Sequence, residues 1–463
     1  MSAASRPVPQ GGRRSAGGRS DTGSTASRRS QAAALSVERA GAVRASSADG
    51  NGGVVKGPIR ERHEADTGII IATVMLAAMG VAMIYSAGAS EIARGKLPNT
   101  LAPELIWVSL GVVVMLITSR IDYRFLRLIS VPLFLVAVAL LVIVLGPSLG
   151  ILQPIKVSET ARWLSIAGVV TFHPAEIAKL ALVVYLAHWM ARRGTSIGGI
   201  RSGTVPFLLI AGGVIALVAL EPDLGTTGVI TLTAFTMLFV AGGSIWQLLV
   251  MIPAGVVAVG LYISTSEYQH QRWVTFQDPW ADATGHGYHT VQGLLALGLG
   301  GLTGQGIGSS RGPGGLPLPA ADNDFVFAML GQELGLWGGA LVIALFGFIA
   351  WRGIRISQRA PDTFGALLAL GVSVCLVYQA FMNIAVVLQL VPLTGITLPF
   401  VSSGNSSLLV SFAAVGILLS ISRETRHTGP DGDARARRGW WHRRPHLPRP
   451  RRPSGAPAPT AGS

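Results

Sequence analysis

Apolar runs of roughly 15 to 27 residues, separated by short polar connections, recur along this chain, and each spans or nearly spans a hydrocarbon core about 30 Å thick. Ten stand out: Gly68 to Ala87, Leu105 to Thr118, Leu128 to Leu145, Pro174 to Met190, Val205 to Leu220, Thr226 to Ala241, Trp246 to Ser264, Phe325 to Trp351, Phe364 to Leu390 and Ser406 to Ile421. The pattern predicts an all-α polytopic membrane protein of about ten transmembrane helices. The shortest of them would borrow flanking residues or sit in locally thinned bilayer.

The arginines orient these spans. Three short connections are basic: SRIDYRFLR with Arg120, Arg124 and Arg127, ARRGTSIGGIRSG with Arg192, Arg193 and Arg201, and RGIRISQR with Arg352, Arg355 and Arg359. With ten spans all three share one side with both termini, and the positive excess assigns that side to the cytoplasm. The longer segments, Gly146 to Phe172 and a large loop over residues 265–324 between helices 7 and 8, then face outward.

Composition agrees. Half of the 463 residues are hydrophobic, 13% are charged and the mean hydropathy is +0.50, which excludes an ordinary soluble domain. Residues 1–66, rich in Ser, Arg, Gly and Ala, and residues 424–463, ending in GWWHRRPHLPRPRRPSGAPAPT, flank a membrane domain of residues 67–423. Neither tail can bury enough apolar surface to order itself, so both are expected to be disordered basic cytoplasmic tails. They carry much of the net charge of +14, so the pI near 10.9 describes tails facing an anionic leaflet and not a nucleic-acid binder. The first apolar run follows more than sixty largely polar residues and reads as a transmembrane helix, not a cleavable signal peptide. Cys375 is the only cysteine, which excludes an intrachain disulfide and a cysteine-based metal site.

Ionisable residues in or beside spans are costly and mark candidate chemistry. In FHPAEIAKL, Glu176 and Lys179 stand three apart on one helical face, as a packing ion pair or as substrate contacts. In ARWL, Arg162 beside Trp163 suits either an interfacial anchor or a cation for phosphate oxygens. The tight turn of LEPDLGTTG sets Glu221 and Asp223 at the membrane surface, to bind a cation or sugars or to cap the next helix. Two acids without His or Cys suit Mg²⁺ or Ca²⁺ better than zinc. The outer loop offers Arg272 for anion contact, a mildly amphipathic stretch from Tyr288 to Leu299, and the glycines of GLTGQGIG, which admit a phosphate cradle or a mobile loop. Finally, in LPAADNDFVFAMLGQELG, Asp324 directly precedes an apolar run, with Asp322 two residues earlier and Glu333 deeper, where a structural role is expected. A carboxylate partly stripped of water at the headgroup plane is a stronger base, although an Asp there also caps helices well.

These blocks, with RWVTFQDPWADATGHGY, QAFMNIAVV and VPLTGITLPFVSSGNSSLL, resemble the FtsW/RodA/SpoVE group, the shape, elongation, division and sporulation (SEDS) proteins, in order from about Gly68 to Arg423. The resemblance implies a peptidoglycan glycosyltransferase that polymerises lipid II at the outer face of the cytoplasmic membrane. It implies a class B penicillin-binding protein as partner, and other division or elongation proteins reached through the cytoplasmic tails. The family's essential acid falls on Asp324, implying a general base. Arg272, Arg162 and Lys179, or a divalent cation such as Mg²⁺ or Mn²⁺, would stabilise the leaving diphosphate. Glu176, Asp223, Glu221, Asp322, Ser406 and Ser407 complete the implied substrate-binding set.

The chain departs from the family pattern where Ala320 and Asp322 replace Glu and His, where Ser403 and Asn405 replace Tyr and Gly, and where His173 and Ala175 replace Gln and Ser. A lipid II flippase and a noncatalytic scaffold remain as alternatives, and the blocks do not separate division from elongation or sporulation.

Overall fold

The computed structural model of the chain describes residues 65–88, 96–146, 152–157, 160–166, 168, 170–309 and 323–424. The expected tails therefore lie almost wholly outside the described residues, as do Ala320 and Asp322. Each apolar run falls on a helix: α1 (Thr67–Ala87), α2 (Leu101–Arg120), α3 (Tyr123–Leu145), α4 (Pro174–Arg193), α5 (Ile200–Leu220), α6 (Leu224–Val240), α7 (Ile245–Thr265), α10 (Val326–Arg359), α11 (Thr363–Val387) and α12 (Asn405–Arg423). Among the described residues eight of these are long and apolar enough to cross a membrane; α4 and α6 fall outside that count. The reason is visible in their residues, because α4 carries Glu176, Lys179, Arg192 and Arg193 and α6 has only 17 residues. The chain is a multi-pass membrane protein. Two shorter helices, α8 (Glu267–Gln277) and α9 (Tyr288–Gly300), lie in the segment between α7 and α10.

The helices start where local chemistry dictates. Asp66 caps α1 by accepting the Ile69 N–H, Asp362 caps α11 through Gly365, and Pro174 opens α4, where its missing N–H costs nothing. Pro206 sits in α5 between two π-helical turns, Ile200–Thr204 and Leu208–Gly212, which absorb its disruption of the helical ladder. Burial then sorts the helices: α11 and α12 are mostly buried and form the centre, while only 6% of the most apolar stretch of α7 is covered by protein. A helix apolar all round and so little covered is built to face lipid.

One small antiparallel sheet stands outside the helical expectation: β1 (Leu152–Val157), β2 (Thr160–Ile166) and β3 (Val170–Phe172), in the order β1-β2-β3. Its strands are too short to announce themselves beside spans of twenty apolar residues. The clues in retrospect are the β-branched and aromatic residues of TARWLSI and VTF, with Pro154 confined to an edge strand.

The bundle has two chemically distinct ends. At one, Arg352 pairs with Asp66 at 2.7 Å, Arg124 lies 3.7 Å from Glu424 and 4.0 Å from Asp362, and the Asp66 N–H reaches the Ser422 hydroxyl at 3.3 Å. Two of the three basic connections, the start of α1 and the end of α12 therefore meet there. The strands, the α5–α6 turn and the start of α10 gather at the other end.

The glycines of GLTGQGIG are seated against α10 and do not form a free loop. Helix α10 kinks at Gly335 (φ 66°), which frees backbone groups of the preceding turn. The Gln305 and Gly306 N–H groups donate to the Gln332 and Glu333 carbonyls at 3.0 Å, and Leu336 N–H donates to the Gly301 carbonyl at 3.0 Å. Gly304 (φ +80°) lies so close to the Glu333 backbone that no side chain fits. Below it the buried Glu333 carboxylate accepts from the Ser86 hydroxyl and from the Gly308 N–H. Gly304→Ala is expected to cost about 1–2 kcal/mol from left-handed backbone alone, and more from the collision. A clearly lowered melting temperature in detergent checks this; an unchanged one would show that the loop is not seated there.

Candidate active site

The start of α10 places Asp324 half-buried, directly before the buried Phe325. Its backbone carbonyl accepts from the Asn383 side chain on α11 at 2.9 Å. Its carboxylate faces the turn at Gly395 (φ +74°), where an added side-chain carbon would lie 3.3 Å from Oδ2.

Beside it stands the turn between α5 and α6. Arg162, pointing from one face of β2, donates from Nε to the Glu221 carbonyl at 3.0 Å and from Nη2 to the Pro222 carbonyl at 2.9 Å. Gln269 on α8 donates to the same Pro222 carbonyl at 3.1 Å. This bracing closes the turn between α5 and α6 around Pro222. Arg162 is thus engaged mainly in shaping the turn. Trp163, on the opposite face of the strand, meets the His173 ring edge-on at 5.3 Å.

The turn stands at the end of the bundle, and both of its acids are buried in protein because β2 and α8 cover it. Asp223 caps α6 by accepting the Thr226 N–H at 3.0 Å, and its Oδ2 lies 3.7 Å from His173 Nε2. Burial holds His173 below its ordinary range, so the contact joins an anion to a mainly neutral ring. Glu221 is 0% exposed and neither carboxylate oxygen has a hydrogen-bond partner. Burial, reinforced by Asp223, pushes its carboxyl from the ordinary 4.5 up to about 9.

An acid raised in this way binds more protons folded than unfolded, so its stabilising contribution is complete below about 4.5 and is lost as pH rises toward about 9. Glu221→Gln is expected to flatten the alkaline fall in melting temperature and to exceed wild type increasingly between pH 6 and 9. Parallel melting curves across that range would remove Glu221 as the source.

Arg272 stands on α8 with its guanidinium stacked 4.5 Å from the centre of the Tyr268 ring, and the same ring lies 5.7 Å from Arg162. Burial lowers Arg272 from its ordinary range, and Tyr268, Asp223 and Asp324 pull it back up. Its Nη1 is buried without a protein partner, which leaves a donor for an anion.

Below the turn lies a continuous polar network. Lys179 donates to Glu176 at 2.8 Å and to the Gln379 carbonyl oxygen. Gln379 donates in turn to Ser407 at 2.9 Å and to the Thr397 carbonyl at 3.1 Å. Ser406 accepts the His173 N–H at 3.0 Å. Glu176, Lys179, Ser406 and Ser407 are buried, and together they lock α4, α11 and α12 to the loop after α11.

The structure thus gathers Asp324, Arg272, Arg162, Glu221 and Asp223 at one end of the bundle and sets Glu176, Lys179, Ser406 and Ser407 beneath them. Asp322 lies outside the described residues. Tyr268, Gln379, Asn383 and Ser402 escaped the sequence reading, which weighed ionisable residues in spans. The spacing of Gln379 and Asn383, four apart on an otherwise apolar helix, was the available signal. Among the described residues no group of three or more His, Cys, Asp or Glu side chains is placed to hold a metal ion.

Residues 67–427 match the family model described as cell cycle protein, FtsW/RodA/SpoVE. The chain belongs to this family. Among FtsW/RodA/SpoVE proteins, stage V sporulation protein E of Bacillus subtilis is 37% identical over 363 residues, covering 78% of this chain and 97% of the relative. A probable peptidoglycan glycosyltransferase FtsW of Geobacter sp. is 35% identical over 361 residues, covering 77% and 96%. Two solved FtsW/RodA/SpoVE-like structures share the fold at 25% identity. One is a chain described under structural coordination of polymerization and crosslinking by a peptidoglycan synthase complex, with a TM-score of 0.65 over 79% of this chain and 99% of that one. The other is the rod shape determining protein RodA of Thermus thermophilus, with a TM-score of 0.58 over 79% and 98%.

Proposed function

We propose that this protein is a peptidoglycan glycosyltransferase that extends glycan strands from lipid II at the outer face of the cytoplasmic membrane. Family membership supports a role in peptidoglycan synthesis, and relatives named as glycosyltransferases support the reaction class. The observation that carries the finer reading is the half-buried carboxylate of Asp324 at the end of the bundle that also holds Arg272, a guanidinium whose Nη1 is buried without a protein partner. Basic connections at the opposite end of the bundle support an outward-facing site.

The step this arrangement suits is a displacement with inversion. The acceptor GlcNAc 4-hydroxyl passes its proton to Asp324 as its oxygen bonds the anomeric carbon of the donor MurNAc. The bond from that carbon to the lipid diphosphate breaks and the diphosphate leaves with the electron pair. Negative charge then grows on the side where Arg272 stands, its guanidinium held by the Tyr268 stack, and its buried Nη1 becomes available as a donor once substrate displaces the side chains that cover it.

The similarity to a chain of a peptidoglycan synthase complex supports a class B penicillin-binding protein as the crosslinking partner. The test is strand formation from purified lipid II by the reconstituted chain with such a partner. Strands longer than the input disaccharide are expected. Transfer of lipid II across vesicles without polymer would favour a flippase instead.

A further inference from the structure

We propose that Asn383 and Ser402 are positioning residues: they hold the main chain of Asn323 and Asp324 against the turn at Gly395, so that the Asp324 carboxylate is presented in one orientation. The inference rests on Asp324 being the base and adds the two side chains that fix it.

Asn383 lies one turn from the end of α11 and is 1% exposed. Its single amide nitrogen donates to carbonyls from two separate segments, that of Asp324 at 2.9 Å and that of Ile396 at 2.7 Å. One nitrogen thereby ties the start of α10 to the loop after α11. Ser402 closes the same joint from the far end of that loop. Its buried hydroxyl accepts the Leu398 N–H at 2.8 Å and donates to the Asn323 carbonyl at 2.7 Å. Ser403 adds a bond to the Asn323 side chain at 2.8 Å.

Between these anchors the loop adopts positive φ at Gly395 (74°) and Phe400 (65°). Glycine suits the first of these because its φ lies in the left-handed region, and an added side-chain carbon there would sit 3.3 Å from the Asp324 carboxylate. Left-handed backbone at a buried Phe is costly and persists only where the surroundings impose it. The amide oxygen of Asn383 is also buried without a partner. An unpaired acceptor in an apolar helix is unfavourable, and here the donor end alone finds partners. The features together describe a joint whose geometry is maintained at a cost, and the residue it fixes is the proposed base.

A base displaced by about 1 Å loses on the order of a hundredfold in rate. Purified Asn383→Ala, Ser402→Ala and Ser402→Thr are therefore compared with wild type in strand synthesis from lipid II, with kcat, KM and the pH–rate profile read separately. Asn383→Ala and Ser402→Ala should each lower kcat by roughly a hundredfold with KM within about twofold, and should move the acid limb of the profile. Ser402→Thr, which keeps the hydroxyl, should recover most of the loss. Combining Asn383→Ala with Asp324→Asn should add nothing to Asp324→Asn alone.

Folded Asn383→Ala and Ser402→Ala with wild-type kcat and pH profile would overturn the proposal, as would losses that multiply with Asp324→Asn. Should Asn383→Ala fail to accumulate, the Ser402 pair decides. Full activity in Asp324→Asn alone is a different result: it removes the base, and the joint then has nothing to position.

Discussion

Asp324→Asn is expected to lower strand formation by about 10²–10⁴-fold, the range general-base catalysis supplies, while the protein still folds and binds its partner. The substitution is nearly isosteric. It also leaves intact the backbone carbonyl through which Asp324 meets Asn383. Lipid II binding should change little, because the lost interaction, acceptance of a proton, belongs to the transition state. Polymer length on gels, rate against lipid II concentration and co-purification of the partner together decide it. A near wild-type rate would show that the proton goes elsewhere, and Asp322→Asn would then be the variant to make.

The second large effect is on folding. Lys179→Met should leave the Glu176 carboxylate buried without its cation, at about 3–5 kcal/mol, and take the Gln379 oxygen's donor as well. A melting temperature lowered by on the order of 5–10 °C follows. Glu176→Gln combined with Lys179→Met removes both charges and should restore much of that stability. The pair also separates the two roles the sequence left open. If the double variant is stable and polymerises, the ion pair serves packing alone; if it is stable and inactive, Lys179 acts on substrate or on the site above it. A single variant as stable as wild type would mean that the network is not what locks α4 to α11.

How much of this was legible beforehand depends on range. The helices were, because each apolar run reports on its own residues and needs no partner to be recognised. Glu176 and Lys179 were legible as a pair for the same reason, three apart on one face. The depth of Glu221 was not, since it is buried by β2 and α8, one segment far before it and one after it in the chain. The kink at Gly335 was hidden too, because its freed carbonyls are met by Gln305 and Gly306, a pairing no local pattern encodes. Asn383 is not legible as a site residue because a neutral amide in a span raises little alarm until its two carbonyl partners, 59 and 13 residues away, come into view.

The sparsely covered helix α7 carries a last consequence. Its two ends are tied to neighbouring protein, Gln247 to the Ile197 carbonyl and the Thr204 hydroxyl and Tyr262 to the Ala219 carbonyl, while most of the length between faces lipid, so a change in hydrocarbon thickness acts on its tilt against those ties. Only Ser266 separates α7 from α8, the helix that bears Tyr268 and Arg272. A lean in α7 is thus passed by a short lever to Arg272. Acyl-chain length becomes a variable of the chemistry: in vesicles of graded thickness the turnover rate should pass through an optimum, with the lipid acting as a setting screw on the site as well as its solvent.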